Sequence, residues 1–390
     1  GRRELVRSRG LGDVYKRQNH WGHERKGGNT MSAKAPREDY TDADIEVSPP
    51  KTFAAGIGGV YHSMEPAIRQ LGVARTAALM AKINHKDGIA TSVSYYDATG
   101  QEQEQPADII VVGTWTLGNI RLALLSGIGQ PYDPKTGKGV TGRNYTYQLG
   151  GASASGWYDD KILNRFMGSG ANGYCIDDFN SDNFDHADLG FFGGGNIACN
   201  NTGARPIGQL GPLPPGTPTW GSEWKAAAKQ YYNRSVSFGM QGESPAYRPN
   251  YCDLDPTYKD AWGNPLLRMT FNWTDNERKI VKYVADNALA PILKQMDPKI
   301  QNVGDTITDY SIVPYQSTHC TGGVIMGANP DTSAVNPFNQ AWDVSNVFIS
   351  GASSFPQNGG YNPTGTVAAL AFRLADTLVT KYIPKPGPLS

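Results

Sequence analysis

The sequence predicts an α/β fold, α+β overall, in which a partial Rossmann-like unit is joined to a region built on an antiparallel sheet. Three observations predict it. The continuously apolar run Ile109-Ile110-Val111-Val112 leads through Gly113 into the helical spacing of Leu117, Ile120, Leu124 and Leu125, which is half of a βαβ unit. From Arg143 to about Gly304 the texture changes to short aromatic and β-branched runs, with prolines clustered from Pro212 to Pro218, as antiparallel strands with long loops require. After Tyr310 a βα texture returns, with a strand at Asn346–Ser350 and a helix from Pro363 to about Lys381.

Taken in order, residues 1–50 are read as disordered and outside any domain. They are strongly basic up to Lys34 and show neither a helical nor a strand period. Arg2-Arg3 is not followed by the apolar stretch an export signal needs, because Arg7 and Arg9 interrupt it. Arg7–Gln18 resembles translated adapter sequence and is set aside from fold reasoning as non-native read-through or linker; a basic nucleic-acid arm is the competing reading.

Order is expected from Thr52, with a short helix at His62–Ile68. Strands follow at Ala78–Asn84, Ala90–Tyr96 and Asp108–Val112, separated by turns at Lys86-Asp87-Gly88 and Ala98-Thr99-Gly100. The helix Thr116–Ser126 is ended by Gly127. In the middle region Thr274-Asp275-Asn276-Glu277 forms a capping box. Ile280, Val281, Val284, Ala288, Leu289 and Ile292 then make one apolar stripe, read as core. The last helix is expected to bury Val367, Leu370, Leu374 and Leu378. The organisation is therefore 51–142 as the first part of a cofactor-type domain, 143–310 as a substrate-type domain, and 311–390 as the completion of the first.

Composition excludes several function classes. Lys+Arg and Asp+Glu are both 36, so no overall field draws nucleic acid or an anionic membrane. No run of about 18 apolar residues exists, so no helix is expected to span a bilayer. The 4 cysteines, Cys175, Cys199, Cys252 and Cys320, are far apart in sequence and fail the spacing of zinc and iron–sulfur sites; isolated buried thiols are expected. No metal site is expected. Gly137–Gly142 and Gly168–Gly173 both spell GxGxxG, yet neither follows a strand and opens a helix, so both are read as turns. Asp177–His186 is rich in oxygen ligands but lacks the turn glycine and closing glutamate of a calcium loop; it is read as an ordered polar loop at a pocket edge. No GxSxG or HExxH occurs.

His319 and Asn362 remain. His319 sits in Ser317-Thr318-His319-Cys320-Thr321-Gly322-Gly323, among glycines and threonines rather than on an apolar face. Asn362 precedes Pro363 and is read as a helix N-cap with Pro363 at the first helical position. Capping alone would explain it. The further reading is that the helix start, with the amides of Thr364 and Gly365, faces an electron-accepting cofactor whose negative charge it stabilises.

These residues resemble the glucose-methanol-choline (GMC) flavin oxidoreductases over about residues 55–390. His319 and Asn362 match the family's catalytic pair in its His/Asn variant. Ser350-Gly351-Ala352-Ser353-Ser354-Phe355-Pro356 resembles the strand end that meets the cofactor, with Gly351 in place of the usual acidic residue. Leu125–Gly129 and Gly142-Arg143-Asn144 resemble two of its turns, and Leu254–Asp260 with Gly263-Asn264-Pro265 resembles its substrate domain. Tyr132–Gly137 and the Asp177–His186 loop bring the likeness nearest to the flavoprotein subunits of gluconate, fructose and sorbitol dehydrogenases.

The resemblance implies FAD as cofactor, bound in part by Gly351, Ala352, Asn362, Pro363 and Thr364, with His319 and Asn362 catalytic. It implies oxidation of a CH–OH group of a sugar, polyol or sugar acid, with electrons passed to a cytochrome or quinone. It further implies periplasmic work beside a small subunit and a cytochrome c subunit. The glycine fingerprint of the family's opening βαβ is not found, so this part of the Rossmann-like domain is expected to be lacking. An incomplete, catalytically inert polypeptide that cannot hold FAD is the alternative, and a non-flavin carbohydrate-binding domain is a third reading.

Overall fold

The structure is a computed structural model and describes residues 53–55, 79–97, 99–163, 173–200, 213–311 and 319–390. The expectations at residues 1–50, at His62–Ile68 and over most of the second glycine string lie outside these residues.

In chain order, β1 (Phe53–Ala55) precedes a hairpin of β2 (Leu79–Lys86) and β3 (Ile89–Tyr96). Asp87 and Gly88 turn it with φ of 51° and 78°, the paired positive values of a two-residue hairpin that follows strand twist. β4 (Glu102–Pro106) adds a third antiparallel strand. Its Glu-Gln-Glu-Gln-Pro carries no apolar signal, which is why pattern reading passes over it. β5 (Ile109–Val112) runs parallel to β1, with Phe53 opposite Ile109. Ile110 and Val112 enter the main core, while Ile109 and Val111 pack on a smaller cluster behind it. Both faces of β5 are therefore covered, as its unbroken apolar run requires. α1 (Thr116–Ser126) follows, and Gly127, at φ 71°, donates its N–H to the last carbonyls.

The middle region holds β6 (Thr146–Tyr147), β7 (Ser153–Trp157), β8 (Gly173–Ile176), β9 (Gly195–Asn200), α2 (Gly221–Tyr231), β10 (Ser235–Gly242), β11 (Ser244–Pro245), β12 (Tyr251–Lys259) and β13 (Pro265–Thr270). α3 (Asp275–Val284) passes through a π turn at Ala285–Leu289 into α4 (Ala290–Met296), and β14 (Ile300–Gly304) closes the region. Five strands form one antiparallel sheet in the order β14-β7-β10-β9-β8. Val236, Phe238 and Met240 alternate into the core that also holds Ile280, Val281, Val284, Leu289 and Leu293. The capping box forms as spelled: the Thr274 hydroxyl accepts from the Asn276 amide at 3.2 Å, and the Thr274 N–H donates to Glu277 at 2.8 Å.

β15 (Cys320–Thr321) pairs with β6, and β16 (Val347–Ile349) runs parallel to β5 to give the sheet order β1-β5-β16. β17 (Gln357–Asn358) pairs with β11, and α5 (Thr364–Thr377) with a terminal π turn at Leu378–Tyr382 ends the ordered path. Asn346 locks this assembly: its amide accepts from Ala90 N–H at 2.7 Å and donates to the carbonyls of Ala90 and Asp108.

Three expectations are corrected. Of the four residues expected to be buried along the last helix, Leu374 and Leu378 are; Val367 and Leu370 are half-buried, because the helix lies against β5 and β16 along one narrow side. Cys175 is exposed rather than buried. Pro363, not Asn362, stands at the N-cap of α5, and no side chain caps that helix.

Candidate active site

His319 sits one residue ahead of β15, where its strand runs antiparallel to the chain leaving β6. The register places Gln148 opposite it. The Gln148 N–H donates to the His319 carbonyl at 3.2 Å, and the Asn358 amide donates to the same oxygen at 2.8 Å. The imidazole Nδ1 meets the Gln148 side-chain oxygen. The ring is half-buried, and that burial lowers the His319 pKa below its ordinary value, favouring the neutral base. Cys320, its neighbour, is a buried thiol pushed up to about 11 by desolvation, so it stays protonated and serves packing.

The segment that carries Asn362 is linked to this histidine through Gln148. The Gln148 amide nitrogen donates to the carbonyl of Tyr361 at 3.1 Å, one residue before Asn362. Gln148 therefore touches His319 and the residue that precedes Asn362. On its other side the segment rests on the antiparallel sheet. The Asn196 N–H reaches the Gly360 carbonyl at 3.4 Å, and its side-chain nitrogen, in the orientation that satisfies it, donates to Gly360 and Gln241. A Cβ on Gly360 would lie 2.9 Å from Asn180 Oδ1 and 3.0 Å from Gly195 Cα, so glycine alone permits this approach.

The Asp177–His186 loop forms the adjacent wall. Phe184 stacks on Tyr283 of α3 with centroids 5.8 Å apart, and Ser181 donates to Glu243 at 2.7 Å. The loop is thus pinned to the sheet and the helix beneath it. Asp177 faces the phenol of Tyr361, and that hydrogen bond to a carboxylate holds the Tyr361 pKa up at about 12. Three side-chain oxygens in these segments, on Asn180, Gln241 and Asn358, are buried without a hydrogen-bond partner. Among the described residues no group of His, Cys, Asp and Glu is disposed to hold a metal ion.

β5 and β16 run parallel, and the space beyond the carboxyl ends of such strands is where an open parallel sheet receives a ligand. Asn119 ties the two ends together, accepting from Thr114 N–H at 2.7 Å and donating to the Ser350 carbonyl at 2.7 Å. Gly351 stands there at φ 107°. A Cβ on Gly113 or Gly365 would meet nothing within 4 Å. The start of α5 has no side-chain cap, so its free N–H groups carry a partial positive charge of the kind that suits the electron-rich ring of a reduced flavin. Gly351 and Ala352 follow β16 directly, Pro363 and Thr364 begin α5, and Asn362 is exposed.

Gln148, Asn358, Gly360 and the Asp177–Tyr361 contact are absent from the sequence-based site. Gln148 follows Gly142-Arg143-Asn144 closely, but no local pattern announces a partner 171 residues away. The first glycine string is a loop with positive φ at Gly137, Gly139 and Gly142, in keeping with its reading as turns.

Known proteins resemble this chain. Residues 246–371 match the family model described as GMC oxidoreductase. The chain is 46% identical over 302 residues to the gluconate 2-dehydrogenase flavoprotein of Pantoea cypripedii, covering 77% of this chain and 49% of that protein. It is 27% identical to the 2-methyl-1,2-propanediol dehydrogenase of Mycolicibacterium austroafricanum, covering 82% and 57%. It is 25% identical to the fructose dehydrogenase large subunit of Gluconobacter japonicus, covering 83% and 57%. The chain spans about half the length of the curated relatives it matches. Among solved structures, pyridoxine 4-oxidase from Mesorbium loti has a TM-score of 0.53 at 15% identity, covering 84% of this chain and 62% of that one. That likeness is one of fold.

Proposed function

Residues 246–371 belong to the GMC oxidoreductase family, and from that premise we propose that the chain is the C-terminal part of an FAD-dependent dehydrogenase of CH–OH groups. The substrate class is a sugar, polyol or gluconate-like sugar acid. The observation that carries this reading is the joining of His319 and the Asn362 segment through one side chain, on a strand that bonds to the segment following β16.

Gly351 and Ala352 at the strand end, with Asn362, Pro363 and Thr364 at the start of α5, would hold the flavin ring. When bound, FAD supplies the acceptor for the hydride that leaves the carbinol carbon. The chain's own residues do the rest. Neutral His319 takes the hydroxyl proton onto its imidazole, breaking the O–H bond as the C–H electron pair departs and the carbonyl forms. The exposed Asn362 amide donates to the same oxygen and fixes the direction of the carbinol hydrogen. The product is a keto sugar or keto acid.

Electrons would pass onward to a cytochrome or quinone, in an assembly with a small subunit and a cytochrome c subunit on the periplasmic side. The names of two relatives, a flavoprotein and a large subunit, support a multi-subunit enzyme. Among the described residues no helix is long and apolar enough to cross a membrane. The domain division at 51–142, 143–310 and 311–390 belongs to the same proposal.

The test is a titration of the purified chain with FAD, followed by anaerobic addition of gluconate, sorbitol or fructose. Bound flavin whose visible absorbance bleaches with one of them is the expected result. A chain that takes up no flavin, or holds flavin that none of them bleaches, overturns the reading and favours the inert alternative.

A further inference from the structure

We infer that Gln148 is a positioning residue that sets the tautomer of His319. This deepens the reading of His319 as base and rests on it. The argument starts from the Gln148 amide. Its nitrogen end lies 3.1 Å from the carbonyl oxygen of Tyr361, and a carbonyl can only accept. The nitrogen must therefore be the end that faces Tyr361. The reversed amide would set two acceptors against each other in a buried place, since Gln148 is 6% exposed.

With that end fixed, the other end is fixed too. The Gln148 oxygen faces His319 Nδ1 and can only accept. Nδ1 therefore carries the hydrogen in the neutral imidazole, and the lone pair belongs to Nε2. The chain of donors runs in one direction, from His319 Nδ1–H to Gln148, and from Gln148 to Tyr361. The main chain reinforces it. Gln148 N–H and the Asn358 amide both hold the His319 carbonyl, so ring and amide cannot drift apart.

Two consequences follow. Nε2 is the atom that receives the substrate proton. The same side chain also fixes the spacing between base and Asn362, because Tyr361 and Asn362 are consecutive. Burial by itself lowers the basicity of His319 without choosing a nitrogen; the amide oxygen at Nδ1 favours the Nδ1–H form.

The experiment is long-range nitrogen–proton NMR of the imidazole rings in the full chain, which separates the two neutral tautomers from the imidazolium. The sequence has 6 histidines, and the His319 signals are those lost in His319→Gln. Wild-type His319 is expected to show hydrogen on Nδ1. Gln148→Leu should release it to a mixture dominated by the Nε2–H form. Gln148→Glu should keep hydrogen on Nδ1 and raise the His319 pKa by about 1–3 units, because a carboxylate favours the charged ring. On the FAD-loaded chain, that variant should move the acid limb of the rate profile upward by the same amount, a change that loss of packing would not produce.

Hydrogen on Nε2 in the wild type, or one tautomer shared by wild type and Gln148→Leu, overturns the inference. These readouts need no flavin. If flavin never binds but the tautomer follows Gln148, the proposed function fails and this inference stands. If flavin bleaches while His319 carries hydrogen on Nε2, the reverse holds.

Discussion

His319 combines two properties that pull on its chemistry in known directions. Half-burial penalises the imidazolium, while the Gln148 oxygen orients the ring. A base of this kind stays neutral below the usual histidine range. The rate of alcohol oxidation is therefore expected to be flat at neutral pH and to fall only below about 6.5. His319→Gln should reduce kcat by about 100-fold or more while leaving the affinity for FAD unchanged. A reduction smaller than about tenfold, read in a stopped-flow bleach, would take the role of base away from it. Folding stability is linked with the same sign. The folded-state pKa is depressed, so the unfolded chain binds a proton first as pH falls. Stability present above about 6.5 is lost as pH drops toward the lower folded value. Urea midpoints at about pH 7.5 and 5 should diverge more for the wild type than for His319→Gln.

At the scale of elements, the clearest local signals are those closed within one turn. The Thr274–Glu277 box, the Gly127 stop and the Asp87-Gly88 hairpin need only their own residues to form. Their hydrogen bonds stand where the sequence spells them. α5 shows the opposite case. Its apolar residues run around the helix, and nothing within it says which side is covered. Leu374 and Leu378, with Phe348 and Tyr382, make the small cluster that holds it against β5 and β16. The start of that helix carries the candidate flavin contacts, so its seating matters for function. Leu374→Ala should cost about 2 kcal/mol, at the low end for buried leucine because the cluster is small. It should also speed amide exchange at the start of α5, and unchanged exchange there would separate the cluster from the site.

Across the whole molecule, Asn346 joins the β2-β3-β4 sheet to the parallel sheet that carries the candidate site. Its three bonds serve Ala90 on both backbone groups and the Asp108 carbonyl, at 2.7, 2.8 and 2.9 Å. Asn346→Ala would leave the buried N–H and carbonyl of Ala90 without this partner, at about 2–3 kcal/mol. The expected signature is a lower urea midpoint with an unchanged slope; a change within about 0.5 kcal/mol would mean the sheets hold together without it. A second long-range junction is Gly360, where the segment bearing Asn362 lies against the Gly195 strand. Both junctions link stretches far apart in the chain.

Read alone, the sequence determined the two sheet textures, the helices Thr116–Ser126 and Asp275–Val284 and the turn at Gly127, and it pointed to His319 and Asn362, on which the proposed chemistry rests. Each follows from periodicity, a cap, or a motif within a short window. It misjudged what depends on neighbours: the burial of α5, the exposure of Cys175, and the cap at Pro363. Only the tertiary structure decided that Gln148 meets His319 and Tyr361, across separations of 171 and 213 residues. The physical reason is one of range. A turn or cap is selected by the free energy of a few adjacent residues. A buried amide finds its partners only after the packing of several sheets has set which strands lie side by side.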